Sequence, residues 1–195
     1  MTIRHHPHEL HLTQLAAGLL DPALGLVVQA HVDRCPSCEA DIEVLTATGG
    51  VLLEDLPPTA LGEEALAHTL ARIDAPEPVF PALPSLRRHR IAGGIWYRPL
   101  YHGANGARAY ELNVPAGRQM PEHSHSGQEW VCVLQGSFAD STGRYGEGDF
   151  VECGAEIEHS PKADADEDCL CLIASTGPMR MRGLVPRAFQ LFLRL

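Results

Sequence analysis

Two short stretches of this sequence concentrate residues that bind metals. In GRQMPEHSHSGQEW, which begins at Gly117, His123 and His125 stand two apart and Glu129 follows four further on. In AHVDRCPSC, His31, Cys35 and Cys38 form an H-x3-C-x2-C pattern. Imidazole, thiolate and carboxylate are donors for first-row divalent metals, and a mixed thiolate and imidazole set is the one zinc prefers. Local geometry supports both groupings. Residues two apart on a strand share a face, so His123 and His125 point together, and Glu129 can swing back after a turn at Ser126-Gly127. His31 and Cys35 are one helical turn apart, and Cys38 lies a turn beyond. A helix start at Pro36 would favour thiolate over thiol at the two cysteines.

A closed zinc site needs four ligands, and H-x3-C-x2-C supplies three. The fourth could be a cysteine from further along, Cys132, Cys153, Cys169 or Cys171. Nearer in sequence are His5, His6, His8 and His11 in RHHPHELH. His6 is favoured, but spacing alone does not choose. The plainer alternative is two free thiols at a helix end beside a surface histidine. It is disfavoured because residues 1–75 carry few large apolar side chains, and a thin core of that size gains from a structural metal.

The elements that must position these residues change character along the chain. The first 75 residues read as helices. Leu12, Leu15, Ala16 and Leu19 fall on one helical face, and Asp21-Pro22 has the form of a helix start. Leu24, Val27, Val28 and His31 then make a stripe. A third helix starts at Pro36, turns Ile42, Leu45 and Leu52 inward and stops before Pro57-Pro58. EEALAHTLARI gives a fourth helix, with Leu66, Leu70 and Ile73 aligned. PEPVFPALP, four prolines in nine residues, reads as an extended linker, so a boundary is placed at residues 76–85. Beyond it GGIWYRPLY, ARAYELNVP, WVCVLQGSF, DFVECG and DCLCLIAS read as short strands, which points to an all-β sandwich or barrel.

Bulk properties exclude several classes. Formal net charge is −10, and residues 1–75 hold three Arg against eleven Asp and Glu, a balance of 3 − 11 = −8. That is the reverse of a nucleic-acid-binding face and suits a basic protein partner, with simple solubility as the alternative. No apolar run approaches the roughly 18 residues of a membrane helix. The opening MTIRHHPHEL lacks the apolar core of a signal peptide, so a cytoplasmic location is expected. In that compartment six cysteines read as metal ligands or redox thiols rather than disulfides. Cys132 and Cys153 are read as core residues, and Trp96 and Trp130 as packing residues. Cys169 and Cys171 share a strand face. Core packing is the preferred reading of that pair, and a redox-active thiol pair near the metal is the functional one.

The stretch from Gly117 through His123, His125 and Glu129 to Gly136 matches the first motif of the cupin fold without a gap. The second cupin motif resembles GDFVECGAEIEH, where Gly148 is followed by His159 at the expected spacing. Its usual Pro is Gly154 here, its second Gly is Glu156, and its Asn falls on Ala163. The motif is degenerate but keeps its histidine. The resemblance therefore implies a double-stranded β-helix barrel with His123, His125, Glu129 and His159 as ligands. Such a set suits Zn, Mn, Fe, Ni or Cu(II). A divalent ion, zinc by expectation, is assigned to it, and a barrel that has lost its metal is the competing reading.

The front motif in its helical setting resembles the zinc-binding anti-sigma domain, and the whole arrangement is similar to the ChrR-type anti-sigma factors. The resemblance maps the family's ligands onto His6, His31, Cys35 and Cys38, and DCLCLIASTGP onto its paired-cysteine strand. It implies two domains, an all-α zinc-binding domain over residues 1–75 and an all-β cupin domain over 86–195. It also implies a function: holding an extracytoplasmic-function sigma factor inactive and releasing it under oxidative stress, singlet oxygen or related, sensed through the cupin. Direct nucleic-acid and membrane binding are not expected. Two other classes compete. A cupin dioxygenase or isomerase with an accessory zinc module would need an open coordination position and a substrate pocket. A DNA-binding activator would need a basic recognition helix, which the sequence lacks.

Overall fold

The structure, a computed structural model, describes residues 2–74 and 87–181. The proline-rich stretch read as a linker lies outside the described residues, as does the chain after Met181. Among the described residues, four α-helices precede eleven strands, as the change of sequence texture predicts.

Helix α1 spans Glu9–Ala16 and is capped by His8, whose Nδ1 accepts the Leu10 amide at 3.1 Å. It ends where Gly18 adopts φ 67°, with the Gly18 and Leu19 amides bonded back to Leu15 and Gln14. This left-handed reversal is the common glycine helix stop. It throws Leu19 outward, 77 % exposed, so Leu19 is not on the helix face to which its spacing assigned it. Helix α2, Pro22–Val32, starts as expected: Asp21 accepts the Ala23 amide at 2.8 Å and Pro22 takes the first position. Its stripe of Leu24, Val27, Val28 and His31 is buried.

Helix α3, Pro36–Glu54, begins at Cys35 and buries Cys38, with Ile42 and Leu45 half-buried against the same core. Leu52, expected inward, is exposed together with Val44, Val51 and Leu53. The reason is length. Helix α3 has 19 residues, whereas α1 has 8 and α2 has 11, so its far half extends beyond the helices that could cover it. Helix α4, Ala65–Asp74, carries Leu66, Leu70 and Ile73 on one face, and all three are exposed. No helix among the described residues is long and apolar enough to cross a membrane.

The strands are β1 (His89–Arg90), β2 (Trp96–His102), β3 (Arg108–Val114), β4 (His123–His125), β5 (Glu129–Gln135), β6 (Ser137–Ala139), β7 (Arg144–Gly146), β8 (Phe150–Cys153), β9 (Lys162–Ala163), β10 (Cys169–Ser175) and β11 (Met179–Met181). A six-stranded antiparallel sheet runs β1-β2-β3-β10-β5-β8. It is accompanied by a β11-β4 pair and a β7-β6-β9 sheet. WVCVLQGSF is two strands rather than one. The break is Gly136, at φ 72°, where a side chain would strike the Asp168 carbonyl.

Both faces of the large sheet are covered. Val131, Val133, Tyr110, Cys171 and Ile173 face Phe138 and Tyr145 of the small sheet in one core. The alternate residues Ala109, Trp130, Cys132, Leu172 and Ala174 pack against Leu24, Val27 and Val28 of α2 in another. The chain is thus layered as helices, large sheet and small sheets: α2 packs on the large sheet, and His11 of α1 reaches Trp130 and Phe150 beside it. Small side chains at Ala109, Cys132 and Ala174 let the helix approach the sheet closely. Trp130 sits in this shared core, while Cys132 and Cys153 are buried, as expected of core residues.

Candidate metal centres

Among the described residues, two groups of metal-binding side chains converge, each with ligand atoms within 4.8 Å of one another. The first is His6, His31, Cys35 and Cys38. Of the four early histidines that spacing left open, the structure brings His6 to the cysteines. Its Nδ1 is 3.4 Å from both Cys35 Sγ and Cys38 Sγ. Helix α2 supplies His31 from its last turn, and the start of α3 supplies both cysteines. His31 is fully buried, with Nε2 3.3 Å from Cys38 Sγ and Nδ1 2.7 Å from the Gly148 carbonyl. The carbonyl can only accept, so Nδ1 carries the proton and Nε2 presents its lone pair to the cluster.

The chemistry of this donor set fits a divalent cation. Burial opposes ionisation of Cys35, but the Ser37 hydroxyl and the amides of Ser37 and Cys38 outweigh it and lower its pKa. Burial, followed by the neighbouring Cys35, pushes Cys38 up to about 12. The cluster therefore accepts one thiolate readily and resists a second without a compensating positive charge. Burial also lowers the pKa of His31, keeping it neutral and able to ligate.

The second group is His123, His125 and His159. Strand β4 buries both of its histidines on one face. His159 is held opposite His123 by two reciprocal backbone bonds, each 3.0 Å. Glu129, the first residue of β5, flanks the three: its Oε2 is 3.1 Å from His125 Nε2 and 3.8 Å from His159 Nε2. Burial works against the Glu129 charge, but contact with His125 and the three surrounding imidazoles prevails, and its pKa is lowered.

Two of the three tautomers are set from outside. His123 Nδ1 donates to the Pro121 carbonyl at 2.9 Å, and His159 Nδ1 donates to Asp140 Oδ2 at 2.8 Å. The Nε2 atoms of His125 and His159 are buried and make no hydrogen bond, although the Glu129 carboxylate lies beside both. Buried ring nitrogens left without a hydrogen bond are costly unless a ligand fills the space between them, so the residues fit a metal. Burial lowers the His123 pKa to about 4 and keeps it neutral. Asp140 was not singled out from the sequence. It accepts from His159, Thr142 N and Thr142 Oγ1, and although burial opposes its charge these bonds lower its pKa to about 2. Its signal was the D-x-T sequence after β6, visible only as a turn until His159 is folded against it.

A cavity of about 50 Å³ adjoins His123, Glu129 and His159, with Cys169 and Cys171 in its apolar wall. The two sulfurs are 3.6 Å apart. The Cys169 thiol, then burial, hold Cys171 well above the ordinary thiol value, so it is protonated at neutral pH.

The two centres are joined through the turn between β7 and β8. Gly148, at φ 86°, offers its carbonyl to His31, and Ile3 lies against its α-carbon. Asp149 accepts the amides of Arg4, His5 and Gly146, and the Phe150 amide donates to the His5 carbonyl at 2.9 Å. Phe150 opens β8, whose Cys153 is paired with Glu129.

Residues 84–180 match the model of the ChrR cupin-like domain. Over 214 aligned positions covering all of both chains, the sequence is 38 % identical to the anti-sigma-E factor ChrR of Cereibacter sphaeroides. The structure also matches a chain in the crystal structure of Rhodobacter sphaeroides SigE in complex with the anti-sigma ChrR. That match has TM-score 0.75 and 40 % identity, and it covers 89 % of this chain and 99 % of the other. Helical front region, cupin-like barrel and both ligand clusters occur in one chain similar to ChrR from end to end, and the protein belongs to the ChrR family of anti-sigma factors.

Proposed function

We propose that this protein binds an extracytoplasmic-function sigma factor, keeps it inactive, and releases it under oxidative stress sensed in the barrel. The observation that carries the reading is similarity over the full length to ChrR, which is 38 % identical and whose structure was determined with SigE. The exposed apolar side chains of α3 and α4 support it. Val51, Leu52, Leu66, Leu70 and Ile73 lie on the acidic part of the chain and offer a surface for a protein partner. The bacterial transcription machinery is cytoplasmic, so the same location is proposed here.

In this reading residues 1–75 form the inhibitory domain, 76–85 a linker and 86–195 the sensing cupin. Zinc held by His6, His31, Cys35 and Cys38 cross-links the N-terminal segment, α2 and α3. A divalent ion, zinc by expectation, belongs to His123, His125, Glu129 and His159, where it supplies Lewis acidity. The chain's own residues fix that site: Asp140 and the Pro121 carbonyl orient two imidazoles, and the apolar wall limits water. Cys169 and Cys171 adjoin the ligands and are the proposed thiols for an oxidant that reaches the cavity. An enzymatic role is disfavoured by the similarity over the full length to an anti-sigma factor.

The test is to co-express the full chain with sigma factors of its own genome. A 1:1 complex that blocks transcription in vitro and dissociates on exposure to singlet oxygen supports the reading. Failure to bind any of them, with turnover of a small molecule by the metal-loaded chain, would replace it with the enzymatic one.

A further inference from the structure

We propose that Asp149 of the barrel is a positioning residue for the front metal centre. It pins the N-terminal segment so that His6 stays at the two cysteine sulfurs, and front-metal retention therefore depends on the barrel turn at residues 146–150. The inference rests on the reading of the His6, His31, Cys35 and Cys38 cluster as a metal centre.

His6 differs from its three companions. Those are buried, whereas His6 is exposed, and it lies on a segment that precedes α1 and has no regular structure of its own. An exposed ligand on irregular backbone is held only as well as its neighbours are held. Those neighbours are fixed by the barrel. Asp149 Oδ1 accepts both the Arg4 amide at 2.7 Å and the His5 amide at 3.0 Å. Its Oδ2 accepts the Gly146 amide at 2.9 Å, which locks the carboxylate to its own turn. The His5 carbonyl accepts from Phe150 N, directly after Asp149. Asp149 is buried, and bonds from three amides to one buried carboxylate are strong and directional. His31, the other imidazole of the cluster, is oriented by the adjacent Gly148 carbonyl. This one turn of the barrel thus sets both imidazoles of a centre whose sulfurs come from the helices.

Outer contacts that orient a ligand typically change metal affinity by 10–100-fold when lost. The experiment uses the full chain loaded with cobalt(II). Thiolate-to-cobalt charge-transfer absorption reports the front centre alone, because the barrel ligands include no sulfur. Decay of that band is followed under excess chelator. Asp149→Ala should lose it about 10-fold or more faster than the wild type. In a His6→Ala background, Asp149→Ala should add almost nothing, because the group it positions is gone. A merely structural role would accelerate loss equally in both backgrounds, and that result would overturn the inference. So would wild-type decay in Asp149→Ala. If Asp149→Ala does not fold, the isosteric Asp149→Asn takes its place, with a smaller acceleration expected and wild-type decay again counting against the inference. A wild-type chain showing no charge-transfer band would refute the metal reading itself, and the positioning role with it.

Discussion

His31 donates to the Gly148 carbonyl at 2.7 Å, joining a helix and a barrel turn 117 positions apart. A side chain of the front cluster is therefore oriented by the barrel.

Substituting the front ligands should separate metal loss from fold damage. Cys35→Ser and His31→Ala should each remove about one metal equivalent from the full chain, measured by elemental analysis. His31→Ala should be the more damaging, since it also orphans the buried Gly148 carbonyl at a cost of about 1–3 kcal/mol. Urea midpoints of the two variants check the order.

Loss of the Asp140 carboxylate should weaken the barrel centre selectively. Asp140→Ala frees the His159 ring, and barrel-metal affinity should fall about 10–100-fold in a chelator competition. Front-centre metal content should not change. Equal loss from both centres would mean that the substitution acts through the fold.

The core shared by α2 and the large sheet should make unfolding cooperative. Leu24→Ala deletes a side chain that is 5 % exposed and should cost about 2–4 kcal/mol. Helical circular dichroism and tryptophan fluorescence, with Trp130 in that same core, should shift together. Two separated transitions would show that helices and barrel unfold independently.

The exposed face of α4 should matter to partner binding and not to stability. Serine at Leu66, Leu70 and Ile73 removes exposed apolar surface, so the urea midpoint should stay within experimental error. Affinity for the sigma factor should drop at least 10-fold, about 1.4 kcal/mol, by titration calorimetry. An unchanged affinity would move the contact surface elsewhere.

Stability of the metal-free chain should fall as pH falls. The His123 pKa is lowered to about 4 by burial, from an ordinary value of 6.5. Between these values the unfolded chain binds the proton and the folded chain does not, so stability present above pH 6.5 is lost progressively towards pH 4. Asp140, lowered from 3.8 to about 2, continues the loss in the same direction below pH 4. His123→Gln should flatten the upper part of the curve in urea titrations. An unchanged slope in that variant would show that another group dominates.

Residue types, spacing and helix signals are local properties, and the sequence determined what depends on them. Asp21-Pro22 and Cys35-Pro36 start helices because capping and a fixed proline φ act within a few residues. His123 and His125 share a face because a strand alternates. Resemblance added His159 and His6, whose positions no local rule supplies. The sequence also held a clue to the shared core. WVCV and CLCLIA are apolar at every position rather than at alternate ones, the pattern of a sheet buried on both faces. Only the tertiary structure decided what covers the second face, because pairing α2 with β5 and β10 depends on shape and closure over a hundred positions. It also decided that Leu19 and Leu52 point outward, since exposure depends on where a helix reverses and on what lies beside it. Above all it decided that Gly148, read in sequence only as a glycine of the second cupin motif, and Asp149, not singled out at all, hold His31 and the segment bearing His6. Hydrogen bonds from a turn to a distant backbone follow from the fold's geometry and leave no periodic trace in the chain.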